Sequence, residues 1–231
     1  MLKDIESHSC DRVVCLGDII GYGPNPRECL DLVMKMDLCV IGNHDYGAVH
    51  DPEGFSSTAE QAIFWTRQQI ETGETPEDTK RRLLFLMKLP RIIKEDEVLF
   101  LHGSIRNPIN EYVFPEEAWE RRKMERLFSM IPRYCFQGHT HQPGIFTPEP
   151  PFLTPDEINY RIKLDFPKAM INVGSVGQPR DDDPRASYML YDYEQRILLH
   201  RRVAYDIARA QARFKKAGLP VRNAKRIASG E

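Results

Sequence analysis

Short apolar runs, each stopped by a glycine or a polar cluster, alternate along this chain with longer stretches whose apolar residues recur at helical spacing. The run at 13–16 ends in Gly17 and predicts a buried strand. Pro26 opens a helix to about residue 36, with Leu30, Val33 and Met34 on one face. A second apolar strand at 38–41 is stopped by Gly42. Helices are then predicted over 55–70 and 76–87, the latter with Thr75 as cap and Pro76 at its first position. The segments 91–94 and 98–101 flank the charged turn Glu95-Asp96-Glu97 and read as a β-hairpin. A helix over 115–130 precedes a strand at 134–136. Prolines 143, 148, 150, 151 and 155 predict an irregular surface excursion over 143–155. Four further strands follow at 160–164, 169–173, 187–193 and 197–202. A helix over 206–216 is closed by Ala217-Gly218-Leu219-Pro220, after which a helix restarts. At the other end, 2–7 reads as the tail of a helix.

Alternation of strand and helix followed by a run of strands predicts an α/β core with its sheets packed together. The 231 residues suffice for one domain, 1–231, with a helical tail over 206–231. Hydrophobic content of 41% fits a globular chain. With 32 basic and 34 acidic side chains there is no broad basic field, which argues against a nucleic-acid groove. Arg121-Arg122-Lys123 reads as the solvated face of a helix. No apolar run approaches the roughly 20 residues a bilayer demands, so no membrane partner is expected. Nor does a charged-then-apolar leader precede the first strand. The five cysteines include no C-x-x-C pair, which argues against a disulfide framework and a zinc knuckle. Reduced, structural thiols in a cytoplasmic protein are the expectation.

Candidate chemistry lies just after the apolar strands, where α/β folds place their sites. Asp18 follows the first strand; Asn43, His44 and Asp45 follow the second. His102 follows 98–101, and His139 and His141 follow 134–136 and a glycine. A histidine in a loop is ordinary, but four strand ends carrying Asp, Asn-His, His and His-x-His point to metal. Imidazole mixed with carboxylate and amide oxygen suits Mn, Fe, Zn or Ni better than Mg or Ca. In extended backbone His139 and His141, two apart, would face the same side. Two ions about 3.5–4 Å apart could share Asp18 as a bridging carboxylate.

The motifs G-D-I-I-G-Y-G (17–23), G-N-H-D (42–45), H-G-S (102–104), G-H-T-H (138–141) and N-V-G-S-V-G-Q-P-R (172–180) resemble those of the calcineurin-like metallophosphoesterases, and most closely their small bacterial phosphodiesterase-type members. The resemblance implies an α/β sandwich of two packed mixed β-sheets flanked by helices. It implies that Asp18 bridges two divalent ions, Mn the first expectation, that Asn43, His102 and His139 complete one shell, and that His141 binds the other ion. His44 would sit above the metals and assist the leaving group, while Asp45 either orients His44 or caps a turn. The implied reaction is direct hydrolysis of a small phosphorylated molecule or nucleotide.

Two departures from the family pattern matter. Members of that family open with an apolar strand ending in Asp-x-His, which supplies two ligands to the ion held by His141. Only Asp4, His8 and Asp11 lie upstream here, before the strand that ends at Asp18. The expectation is a chain that starts at an internal methionine, lacks the first strand and holds one ion well. A catalytically impaired member acting as a binding or scaffold domain is the alternative. Secondly, Gly21 and Tyr22 stand where the protein phosphatases of the family carry Asp and Arg, which favours a small substrate. Arg106 and Arg180 are the candidate phosphate contacts in their place.

Overall fold

The computed structural model describes residues 1–231. In chain order it contains α1 (Leu2–Glu6), β1 (Val14–Cys15), α2 (Pro26–Val33), β2 (Leu38–Cys39), α3 (Asn43–Val49), α4 (Ser57–Glu71), α5 (Pro76–Lys88), β3 (Ile92–Glu95) and β4 (Val98–Leu101). A 3-10 turn (Pro115–Trp119) leads into α6 (Arg121–Met130). Then come β5 (Tyr134–Gln137), β6 (Gly144–Phe146), β7 (Phe152–Leu153), β8 (Arg161–Lys163), β9 (Ala169–Asn172), β10 (Ala186–Asp192), β11 (Ile197–Val203), α7 (Ile207–Lys216) and α8 (Val221–Ser229).

Helix starts follow the capping chemistry of the sequence. The Ser56 hydroxyl accepts from the Ala59 amide at 3.4 Å, and the Thr75 hydroxyl accepts from the Asp78 amide at 3.1 Å. One face of α4 buries Ala59, Ala62, Ile63, Thr66 and Ile70. The helix α3 is not foreshadowed by the apolar pattern, because Asn-His-Asp-Tyr-Gly is poor helix-forming sequence. It forms because the Asp45 carboxylate turns back to accept from the Gly42 amide at 3.0 Å, satisfying the amide of the residue that opens the helix.

The main sheet is six-stranded and mixed, in the order β3-β4-β5-β9-β6-β7. Its centre, β4-β5-β9, is parallel, with antiparallel strands at either edge. Both faces of the centre are covered, so its strands are nearly continuous apolar runs. Leu99, Leu101, Cys135 and Met170 pack with Met124, Leu127 and Phe128 of α6. Val98, Tyr134, Phe136 and Ile171 pack towards Leu198 and Met189 of the antiparallel sheet β10-β11-β8. This second face is the sandwich core. A fully buried leucine such as Leu198 contributes about 1.5–3 kcal/mol there.

Two expectations are corrected. The proline-rich segment is no irregular excursion: β6 and β7 pair as an antiparallel hairpin on the edge of β9. Its prolines 148, 150 and 151 fall in the turn between the strands, where no ladder amide is needed. The strand β1 is half-buried rather than buried and pairs with β2 in a separate parallel ladder. Cys15 and Cys39 are register neighbours in that ladder. All five cysteines are free thiols, with Cys10 and Cys29 exposed. No helix is long and apolar enough to cross a membrane. The tail 206–231 folds as α7 and α8, packed through Phe214, Leu219 and Ile227 on Ala62 of α4.

His200 of β11 is buried, with Nε2 2.8 Å from the Ser187 hydroxyl. Burial pushes its pKa down to about 4 from an ordinary 6.5, with Asp183 only partly opposing. The unfolded chain therefore takes up a proton between these two values that the folded chain refuses. This contribution to stability is complete above pH 6.5 and is lost as pH falls through about 4. Thermal denaturation should show the midpoint falling across that window, and His200→Gln should flatten the fall; an unchanged slope in the variant would remove His200 as the cause.

Candidate metal centre

Two glycines bring the strand ends together. Gly17 has φ +85°, and a Cβ there would lie 2.5 Å from the Gly42 amide nitrogen. A Cβ on Gly42 would overlap both the carboxylate and the amide of Asp18. With neither side chain present, Asp18 (φ +52°) sits against the start of α3 and accepts from the His44 amide at 2.9 Å. Its other oxygen is 3.3 Å from His102 Nε2. That same nitrogen is 3.3 Å from Asn43 Oδ1 and 3.0 Å from His139 Nδ1. Asp18, His102 and His139 thus form a cluster whose ligand atoms all lie within 4.8 Å of one another, with Asn43 on its border.

Each histidine is fixed by a backbone carbonyl. His102 Nδ1 donates to Leu16 O at 2.8 Å, His139 Nε2 to Asn110 O at 3.3 Å, and His141 Nδ1 to Gln178 O at 2.6 Å. Carbonyls only accept, so the proton of each neutral ring is on that nitrogen and the other nitrogen keeps its lone pair. Metal-binding histidines have this arrangement. Two imidazole lone pairs and two oxygens then converge with no hydrogen among them. A divalent cation fits this donor set.

The electrostatics agree with this reading. Burial opposes the charge on Asp18, but the His102 and His44 rings outweigh it and hold the carboxyl below its usual range. Burial likewise opposes protonation of His102, and the Asp18 carboxylate outweighs it and raises the ring above its ordinary value. Burial, then His102, pushes His139 down to about 3; burial, then Arg180, does the same for His141. Both rings are therefore neutral and ligand-competent at neutral pH. His44 is also pushed down, chiefly by burial, and its Nδ1 has no hydrogen-bond partner.

His139 and His141 do not lie in extended backbone. Both adopt left-handed φ, +66° and +63°, so the period-two argument for a shared face does not apply. His139 joins the cluster, whereas His141 is tied to the 172–180 loop through Gln178. The Asp45 carboxylate accepts from Gly42 and Ile20 amides at 3.0 and 3.2 Å, which is the turn-capping role and not the orientation of His44. Arg106 is engaged by an ion pair with Glu111, its Nε 3.0 Å from Oε2. Arg180 donates its amide to His141 O at 3.1 Å and its Nη2 to Gln178 Oε1 at 3.1 Å, leaving Nε buried and unpartnered. Asp4 is held by the Tyr188 hydroxyl and Arg201, and His8 is exposed 3.9 Å from Asp4, so neither joins the centre.

Three further residues support the cluster, of which Tyr112 escaped the sequence reading while Tyr22 and Asn172 lie in the motifs 17–23 and 172–180. Tyr112 stacks on His139 with ring centroids 3.7 Å apart. The Tyr22 ring lies 4.4 Å from that of His44. Asn172 donates to Gly138 O at 2.6 Å and Thr140 Oγ1 at 2.8 Å, pinning the turn between the two histidines.

A carboxylate, an amide and carbonyl-fixed imidazoles gathered at the strand ends of an α/β sandwich describe a metallophosphoesterase centre. The calcineurin-like phosphoesterase superfamily domain matches residues 1–196, and the chain belongs to that family, whose members use divalent metal ions to hydrolyse phosphoesters. It is 36% identical over 229 residues to the uncharacterized protein MJ0912 of Methanocaldococcus jannaschii, covering 95% of this chain and 87% of that protein. The crystal structure of a metallophosphoesterase from Sphaerobacter thermophilus superposes with a TM-score of 0.82 at 34% identity, over 100% of this chain and 93% of the other. The hypothetical protein PH1004 of Pyrococcus horikoshii shares the fold, with a TM-score of 0.76 at 16% identity, over 100% of this chain and 90% of that one.

If Gly42 keeps Asp18 in place, Gly42→Ala should weaken Mn²⁺ binding by about 10–100-fold, as loss of ligand support does. Titration calorimetry on folded variant protein measures this; native affinity would show that Asp18 tolerates displacement.

Proposed function

We propose that this chain hydrolyses phosphoesters of small molecules or nucleotides, phosphodiesters among them. The observation that carries the reading is the convergence of Asp18, Asn43, His102 and His139 beside a buried His44 with an unpartnered ring nitrogen. These four residues would hold a divalent ion, Mn²⁺ first and Fe, Zn or Ni as alternatives, with His141 available to a second. When bound, such ions neutralise phosphate oxygens and lower the pKa of bound water. His44 offers its ring to the leaving oxygen, and its amide keeps Asp18 in place. Arg180 supplies positive charge beside His44 and His141 for a non-bridging oxygen.

Gly21 supports the small-substrate reading. Its φ is +135°, and a Cβ there would lie 2.5 Å from His44 Nδ1. The aspartate that protein phosphatases carry at this place would displace the His44 ring. The net charge of −2 fits a small anionic substrate better than a nucleic acid. Free thiols fit a reducing, cytoplasmic setting.

One observation favours a second reading, a binding domain of impaired activity. The assembled donors furnish one ion's set, and beyond them only His141 is offered to a second ion.

Hydrolysis of bis(p-nitrophenyl) phosphate with Mn²⁺ separates the two. Chelation should abolish turnover, and His44→Ala should lower kcat by about 10²–10⁴-fold while bound Mn²⁺ stays constant. Stoichiometric Mn²⁺ without turnover in the native chain would leave the binding reading standing.

A further inference from the structure

Helix α8 brings unneutralised positive charge to the rim of this centre. Two contacts set its position. On one side Ile227 and Ala224 pack in the cluster that contains Tyr22, whose ring lies against His44. At the end of α8, Gly230 accepts from the Asp182 amide at 3.0 Å, and its φ of +78° lets it press against Asp183, where a Cβ would come within 2.7 Å of the amide nitrogen. The last turn of α8 thus rests on the loop that directly follows Arg180. The Tyr205 hydroxyl on Ile227 O and Gln211 on Ala224 O fasten the helix from the α7 side.

Arg226 lies one turn before Gly230, whose amide bonds to its carbonyl at 2.9 Å, and the charge of Arg180 and the hydroxyl of Tyr22 both bear on it. Arg222 is four residues earlier on the same face. Neither arginine makes an ion pair, and the side chain of Arg180 is held only by the Gln178 amide oxygen. Of the carboxylates that follow Arg180, Asp181 is engaged by Arg202 and Asp183 by Arg185 and Arg202, while Asp182 is exposed. Glu231 is the one carboxylate that bears on Arg226. Burial, then the charges of Arg180 and Arg222, pulls Arg226 below the usual arginine range, with Tyr22 and Glu231 only partly opposing. Two donors on this wall, Arg180 Nε and Gln178 Nε2, are buried without an acceptor.

We infer that Arg222 and Arg226, beside Arg180, form a second anion subsite next to the metal centre, which takes a further phosphate on the leaving-group side of the substrate. The direction follows from Tyr22, which touches both His44 and the α8 cluster. The substrate class is then a phosphoester whose leaving alcohol itself carries a phosphate. Hydrolysis of such a substrate rests on the function proposed above; binding of the second phosphate does not.

Calorimetric titration of the full metal-free chain with inorganic pyrophosphate and orthophosphate tests this. Pyrophosphate should bind at least about tenfold more tightly, as gain of one charge-assisted contact set predicts. The pair Arg222→Gln and Arg226→Gln should abolish the preference, while Arg222→Lys with Arg226→Lys retains most of it and controls for folding. Equal affinity for the two anions, or a preference that survives in the glutamine pair, overturns the subsite. A chain that prefers pyrophosphate yet hydrolyses no phosphoester with Mn²⁺ keeps the subsite and refutes the hydrolase. Turnover without the preference does the reverse.

Discussion

The close approach of Gly17 to Gly42 is the constraint on which the centre depends. It lets the ends of two parallel strands meet without side chains between them, so that Asp18 reaches the first amides of α3. Everything else in the site is arranged around that carboxylate: His102 faces it, Asn43 borders it, and His44 is attached to it through its own backbone. The Asp45 carboxylate completes the scaffold by bonding the Gly42 and Ile20 amides, tying both strand exits to one helix start.

The sandwich carries this assembly on rigid elements. The centre of the main sheet is buried on both faces, and the residues that follow β4 and β5 inherit its order. The histidines at those exits are oriented twice, by packing of the strand before them and by a carbonyl on the far ring nitrogen. Such double fixation leaves the donor set in place before any cation arrives, which lowers the reorganisation that binding demands.

Much of this was legible from residues alone. Apolar runs ending in glycine and a polar residue announced Asp18, Asn43, His102 and His139 as a group, because a strand exit is where the backbone stops needing apolar side chains. Helix α5 was readable from its cap Thr75, and α4 from its apolar periodicity. What stayed hidden was set by contacts distant in sequence. The helix α3 depends on Asp45 reaching back to Gly42, against the propensity of its own residues. The hairpin β6-β7 forms because β9 offers it an edge, which proline content could not reveal. Arg106 differs from Arg180 only in having a carboxylate, Glu111, beside it in space. The stacking of Tyr112 on His139 joins residues that no spacing rule connects.

The left-handed backbone at Asp18, His139 and His141 has an evolutionary consequence. Among side chains with a Cβ, Asn, Asp and His tolerate that conformation best, and β-branched or bulky residues tolerate it worst. These are also residue types that donate nitrogen or oxygen to a cation. Drift at those positions is therefore steered by chain geometry towards other coordinating residues, so a lineage can exchange one metal preference for another before it loses the centre.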